Sequence, residues 1–112
     1  MTEETFICVD VETAGPIPGE YAMLSIGACL VFDIVQTFYR ELIPDRDGFQ
    51  LEALAVSGLD MEKLRRDGTP PADAMRDFAQ WVKSVCPEGS RAVFVALNAP
   101  FDWSFVNDYF HR

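Results

Sequence analysis

The chain has 112 residues, of which 49% are hydrophobic and 24% charged, a composition that fits one globular domain with its own core and excludes a disordered segment. Its formal net charge of −9 excludes broad attraction to nucleic acid or anionic membranes, so any phosphate binding needs bound cations or a local basic patch. No apolar run reaches the roughly 18 residues of a membrane helix, and the acidic stretch Met1 to Glu4 is unlike a signal peptide, so no membrane partner is expected.

Thr5 to Glu12 reads as a first strand, closed by the Pro- and Gly-rich turn region Ala14 to Glu20. Met23 to Phe32 and Thr37 to Ile43, joined by the short link Asp33 to Gln36, read as an antiparallel hairpin ended by Pro44. From Asp47 to Pro71 the text is polar, with a short helix at Leu51 to Val56 stopped by Ser57-Gly58. A firmer helix spans Ala72 to Val85, with Ala74, Phe78, Ala79 and Val82 on one stripe. Ala92 to Leu97 is nearly all apolar, as for a parallel strand covered on both faces, and Pro100 to Phe110 has helical spacing. The order β-β-β-α-α-β-α describes an α/β mixed sheet of three antiparallel strands plus a parallel one, flanked by helices. Cys8, Cys29 and Cys86 lie in apolar segments without CxxC spacing, so reduced, buried thiols and a cytoplasmic location are expected.

The first strand carries two acids. Alternation sends Phe6, Cys8, Asp10 and Glu12 to one face and Ile7, Val9 and Val11 to the other. The two carboxylates sit on residues about 7 Å apart and can converge on one cation, which would offset their repulsion. Alone, the pair better fits a solvated strand end with Asp10 capping the turn, a pattern common by chance. Asp102 opens the last helix directly after the fourth strand, the natural neighbour of the first, so it can approach Asp10 and Glu12. Alone, it also fits the electrostatic partner of its own helix N-terminus.

VDVETAG (Val9 to Gly15), LSIGACLV (Leu24 to Val31), FYRELIP (Phe38 to Pro44), EALAVSGLD (Glu52 to Asp60) and NAPFDWSF (Asn98 to Phe105) occur in one order. In this the chain resembles the DnaQ-like, or DEDD, 3′-to-5′ exonucleases, and within them the ribonuclease T and polymerase III proofreading-subunit group. The resemblance covers nearly the whole chain and implies a ribonuclease H-like fold. It also implies hydrolysis of phosphodiester bonds at the 3′ ends of RNA or single-stranded DNA with two divalent ions, Mg²⁺ or Mn²⁺ suiting the oxygen ligands. On that resemblance Asp10 bridges both ions, Glu12 binds one and helps fix the terminal 3′ hydroxyl, and Asp102 binds the other. Glu12, Thr13, Ala14 and Asn98 are the expected substrate contacts, and Lys63, Arg65 and Arg66 form the one compact basic cluster, equally readable as a solvated loop.

The chain departs from the family pattern at its end. Members carry a fourth acid and a general-base histidine in a later segment, whereas this sequence ends at Arg112 with His111 as its sole histidine. On a continued helix His111 lies about 900° and Asp108 about 600° beyond Asp102, so neither reaches the same side. Leu97 stands where many relatives have histidine. Residues 1–112 are therefore expected to be the N-terminal portion of a single exonuclease-like domain, its C-terminal part missing and its site incomplete. The fourth strand is then an open edge, and a homo-oligomer is expected. The alternative is a non-catalytic fragment that binds metal or nucleic acid or self-associates. Substrate type and cellular role stay open.

Overall fold

A computed structural model describes residues 3–112; Met1 and Thr2, half of the acidic N-terminal stretch, lie outside the described residues. The elements are β1 (Glu3–Thr13), β2 (Met23–Leu30), β3 (Asp33–Glu41), α1 (Leu51–Ser57), α2 (Met61–Asp67), α3 (Pro71–Val85), β4 (Ser90–Val95) and α4 (Ala99–Phe110). The four strands make one sheet in the order β3-β2-β1-β4. β1 and β3 run antiparallel to β2, and β4 runs parallel to β1. This is the expected mixed sheet, with helices packed on it.

Alternation along β1 decides which face is core. Ile7, Val9 and Val11 are only 2–4% exposed, while Asp10 between them is exposed and Glu12 half-buried. The core side joins these residues to Ile26 of β2, Phe38 of β3, Ala74, Met75 and Phe78 of α3, and Phe105, Val106 and Tyr109 of α4. A second cluster forms where the β1–β2 register shifts after Glu12, so that Thr13 pairs with Met23 and Leu24 is the extra residue. Leu24 packs there with Ala14, Ala22, Met61 and Leu64, which seats α1 and α2 at this end of the sheet.

Four expectations are corrected. The polar stretch after Asp47 holds a second helix, α2, because Asp60 accepts hydrogen bonds from the backbone N–H of Glu62 and Lys63 and so caps it, while Met61 and Leu64 bury one side. The hairpin link is Val31-Phe32 rather than Asp33 to Gln36, since the β-branched Ile34 and Val35 extend β3. The fourth strand begins at Ser90 and ends at Val95, and it is not covered on both faces: it is the sheet edge, with Arg91 and Ala92 exposed and Leu97 beyond it in solvent. The three cysteines are free but half-buried rather than buried, and Cys8 and Cys29 are direct cross-strand partners.

Tyr109 ties α4 to the segment after β3. Its ring is buried, and its hydroxyl donates to Asp45 Oδ1 at 2.6 Å and accepts from the Met23 N–H at 2.8 Å. Burial, reinforced by the Asp45 contact, pushes the phenol well above its ordinary pKa. Arg112 stacks on the ring and pairs with Asp45 and Asp108. Tyr109→Phe strands the buried Met23 N–H, so urea denaturation should show a loss of about 1–3 kcal/mol.

Candidate active site

Asp102 reaches the strand that bears the other two acids because β1 outruns β4. Their pairing ends at Cys8 opposite Val95, whereas β1 continues to Thr13. Val31 N–H donates to Phe6 O across the β1–β2 ladder, so alternate residues from Phe6 turn their peptide groups toward β2. Val11, in the other set, turns its N–H toward the space beyond the end of β4. There α4 begins, and Asp102 Oδ1 accepts that N–H at 3.2 Å. Asp102 is 5% exposed, held in the first turn of α4 between the strand positions of Asp10 and Glu12.

The electrostatics register this crowding. Burial, then the charges of Asp10 and Asp102, hold the Glu12 carboxyl above the usual range. Burial also raises Asp102; the Val11 N–H opposes this and Asp10 adds to it. Like charges are thus gathered at one sheet end without an ion-paired basic side chain among the described residues.

On the open face Asp10 and Glu12 line a cleft of about 280 Å³ whose remaining walls are Ser25, Gly27, Tyr39, Ser57 and Leu59. These five were not singled out from the sequence. The signal was the strand register: Gly27 lies opposite Asp10, and Ser25 opposite Glu12.

The other candidates fall in different places. Thr13 is buried and its hydroxyl donates to Gly15 O at 2.8 Å. Ala14 is fully buried, its N–H bonded to Ala22 O and its carbonyl to Gln50 N–H. Asn98 is the exposed N-cap of α4; its carbonyl accepts from the Phe101 and Asp102 N–H groups, while its side chain makes no capping bond. Lys63, Arg65 and Arg66 ride on α2 rather than a loop, with Arg65 paired to Asp47 at 3.5 Å and Arg66 to Asp67 at 3.7 Å. His111 is the exposed C-cap of α4, and Asp108 is taken up by Arg112, so neither joins the acids.

A cation at the acids would meet a donor set of carboxylate oxygens, which suits Mg²⁺ or Mn²⁺. Burial leads the rise of the Glu12 and Asp102 carboxyls, the charge of Asp10 adds to both, and no basic side chain is paired with either among the described residues. Among the described residues no three His, Cys, Asp or Glu side chains are converged closely enough to hold an ion. The donor chemistry fits, and convergent coordination is not formed.

A mixed sheet with a parallel edge strand, acids on the central strand and an acid opening the helix beyond it define the ribonuclease H-like architecture. No protein-family profile matches the chain. It is 52% identical over 109 residues to the 3′-5′ DNA exonuclease Cap18 of Escherichia coli, covering 97% of this chain and 58% of that protein. It is 31% identical over 110 residues to ribonuclease T of Marinobacter nauticus, covering 89% of the chain and 50% of that protein. Escherichia coli exonuclease I complexed with single-stranded DNA superposes with a TM-score of 0.81 at 19% identity, over 97% of this chain and 24% of that one, which supports the fold. The chain is thus similar in sequence to proteins named as a 3′-5′ DNA exonuclease and as ribonuclease T, and it shares its fold with exonuclease I. It spans 50–58% of the length of these sequence relatives.

The raised carboxyls set a pH dependence. Their folded pKa values exceed the unfolded 4.5 and 3.8, so the folded chain binds more protons between the two, and this contribution to stability is lost as pH rises through that interval. Asp102→Asn keeps an acceptor for the Val11 N–H and removes the charge. In chelator, thermal melts from pH 4 to 7 should show a flatter decline and a higher Tm at pH 7 for this variant.

Proposed function

We propose that the chain carries the N-terminal, acid-bearing part of a metal-dependent 3′-to-5′ exonuclease that acts on DNA ends. The observation that carries this is Asp102 seated on the Val11 N–H between Asp10 and Glu12. The 52% identity to a protein named as a DNA exonuclease favours DNA over RNA, to which the more distant ribonuclease T similarity points. Asp10, Glu12 and Asp102 would hold divalent ions, Mg²⁺ or Mn²⁺, which would supply positive charge for an approaching phosphate and lower the pKa of a bound water. Asp10, the most exposed of the three, faces the phosphate, and Glu12 lies on the same face toward the terminal hydroxyl. Asp102 is held in place by its backbone bond. The Thr13 and Ala14 segment shapes the turn below the terminal nucleotide, and Asn98 lies at the mouth of the site. Residues 1–112 form one unit of this domain, in a protein of the cytoplasm.

The test is a thermal-shift titration with Mn²⁺ combined with cleavage of 5′-labelled single-stranded DNA. Mn²⁺ should raise the Tm of the wild type and do so far less for Asp10→Asn, and any shortening from the 3′ end should fall at least about 100-fold in that variant. Equal Mn²⁺ shifts in both proteins would falsify the assignment.

A second reading, self-association, is favoured by the β4 edge. Beside it lies an apolar groove of about 330 Å³ between α3 and α4, walled by Val82, Val93, Phe94, Trp103 and Phe110. Open edges and apolar grooves pair with further chain. Light scattering after size exclusion should give a mass that grows with concentration, and Val93→Arg should reduce it; a monomer at every concentration rules this out.

A further inference from the structure

Resting on the exonuclease reading, we propose that the Tyr39 ring is a stacking shelf for a base of the substrate strand, beside Asp10 on the open face of the sheet. Asp10, Gly27 and Tyr39 form one row across three strands, since Gly27 is the register partner of both others. Side chains in such a row share a face. The middle position has none, and a Cβ there would sit 3.5 Å from Tyr39 Cδ1, so the ring already borders the notch that separates it from Asp10.

The ring is presented rather than packed away. Tyr39 is 54% exposed, and its hydroxyl donates to Glu41 Oε2 at 2.8 Å, which fixes the ring and engages its polar tip. Across the cleft stands Leu59, whose N–H donates to Ser57 Oγ at 3.1 Å while that hydroxyl bonds Leu54 O. An aromatic wall and an aliphatic wall therefore face one opening of about 280 Å³, near the small end of ligand pockets and suited to one nucleoside.

Charge leaves few alternatives for holding a strand there. Among the described residues the cleft walls carry two carboxylates and no basic side chain, so the wall itself repels phosphate. Affinity must come from cations and from base stacking, which is insensitive to sequence because every base has a π face. Among the described residues, Tyr39 is the one aromatic residue lining the cleft.

The test uses the chain with 5′-fluorescein-labelled dT octamers in Ca²⁺, read by anisotropy, with an abasic site moved one position at a time from the 3′ end. Tyr39→Phe should bind like the wild type, and Tyr39→Leu, which keeps a strand-compatible side chain, about tenfold more weakly. One abasic position should weaken the wild type by about the same factor and leave Tyr39→Leu unchanged. Gly27→Val, which pushes against the ring, should reproduce the Tyr39→Leu loss. If binding requires Ca²⁺ and Asp10, as Asp10→Asn reports, yet Tyr39→Leu matches the wild type or no abasic position couples to it, the shelf is wrong and the exonuclease reading stands. Binding that ignores Ca²⁺ and Asp10→Asn overturns both.

Discussion

The site depends on one hydrogen bond made where β4 runs out. A parallel edge strand that stopped level with β1 would take the Val11 N–H into its own ladder. Because β4 ends at Val95, that donor is left facing the start of α4, and the Asp102 carboxylate takes it. A buried N–H without a partner is costly, and a charged acceptor makes a stronger bond than a neutral one. The same contact therefore closes the junction of strand and helix and sets a carboxylate between the positions of Asp10 and Glu12.

The two faces of the sheet divide the work. One face, closed by α3 and α4, holds nearly all the large buried side chains and anchors α4, which in turn positions Asp102. The other carries Asp10, Glu12, Gly27, Ser25 and Tyr39 and is roofed only at one end by α1 and α2. The acids are thus not embedded in hydrocarbon, although the strand that bears them is. Asp10 meets solvent directly, Glu12 only in part, and burial first, with the charges of Asp10 and Asp102 adding to it, raises the proton affinity of Glu12.

Much of the fold could be read from the chain because it is periodic. The period-two pattern of Ile7, Val9 and Val11 named the core face of β1, and the stripe through Ala74 and Phe78 named the buried side of α3. Shorter elements were less legible. α2 has two buried residues in seven and rests on its Asp60 cap, so it reads as loop when propensity is judged without the cluster it packs into. The apolar text of β4 suggested two covered faces, but apolar content does not say whether a strand is central or at an edge.

For the candidate site, the sequence alone supplied the three carboxylates, two of them on one face of a strand, and the order of the motifs that carry them. The tertiary structure decided what surrounds them. It set the register that brings Gly27 and Tyr39 into line with Asp10 and the short edge strand that admits Asp102. It also seated Thr13 and Ala14 in the interior, with their polar groups bonded within the fold. The division has a physical cause. Residue type and spacing along a strand are local properties, whereas cross-strand register and the point at which a neighbouring strand stops are settled only when the sheet assembles.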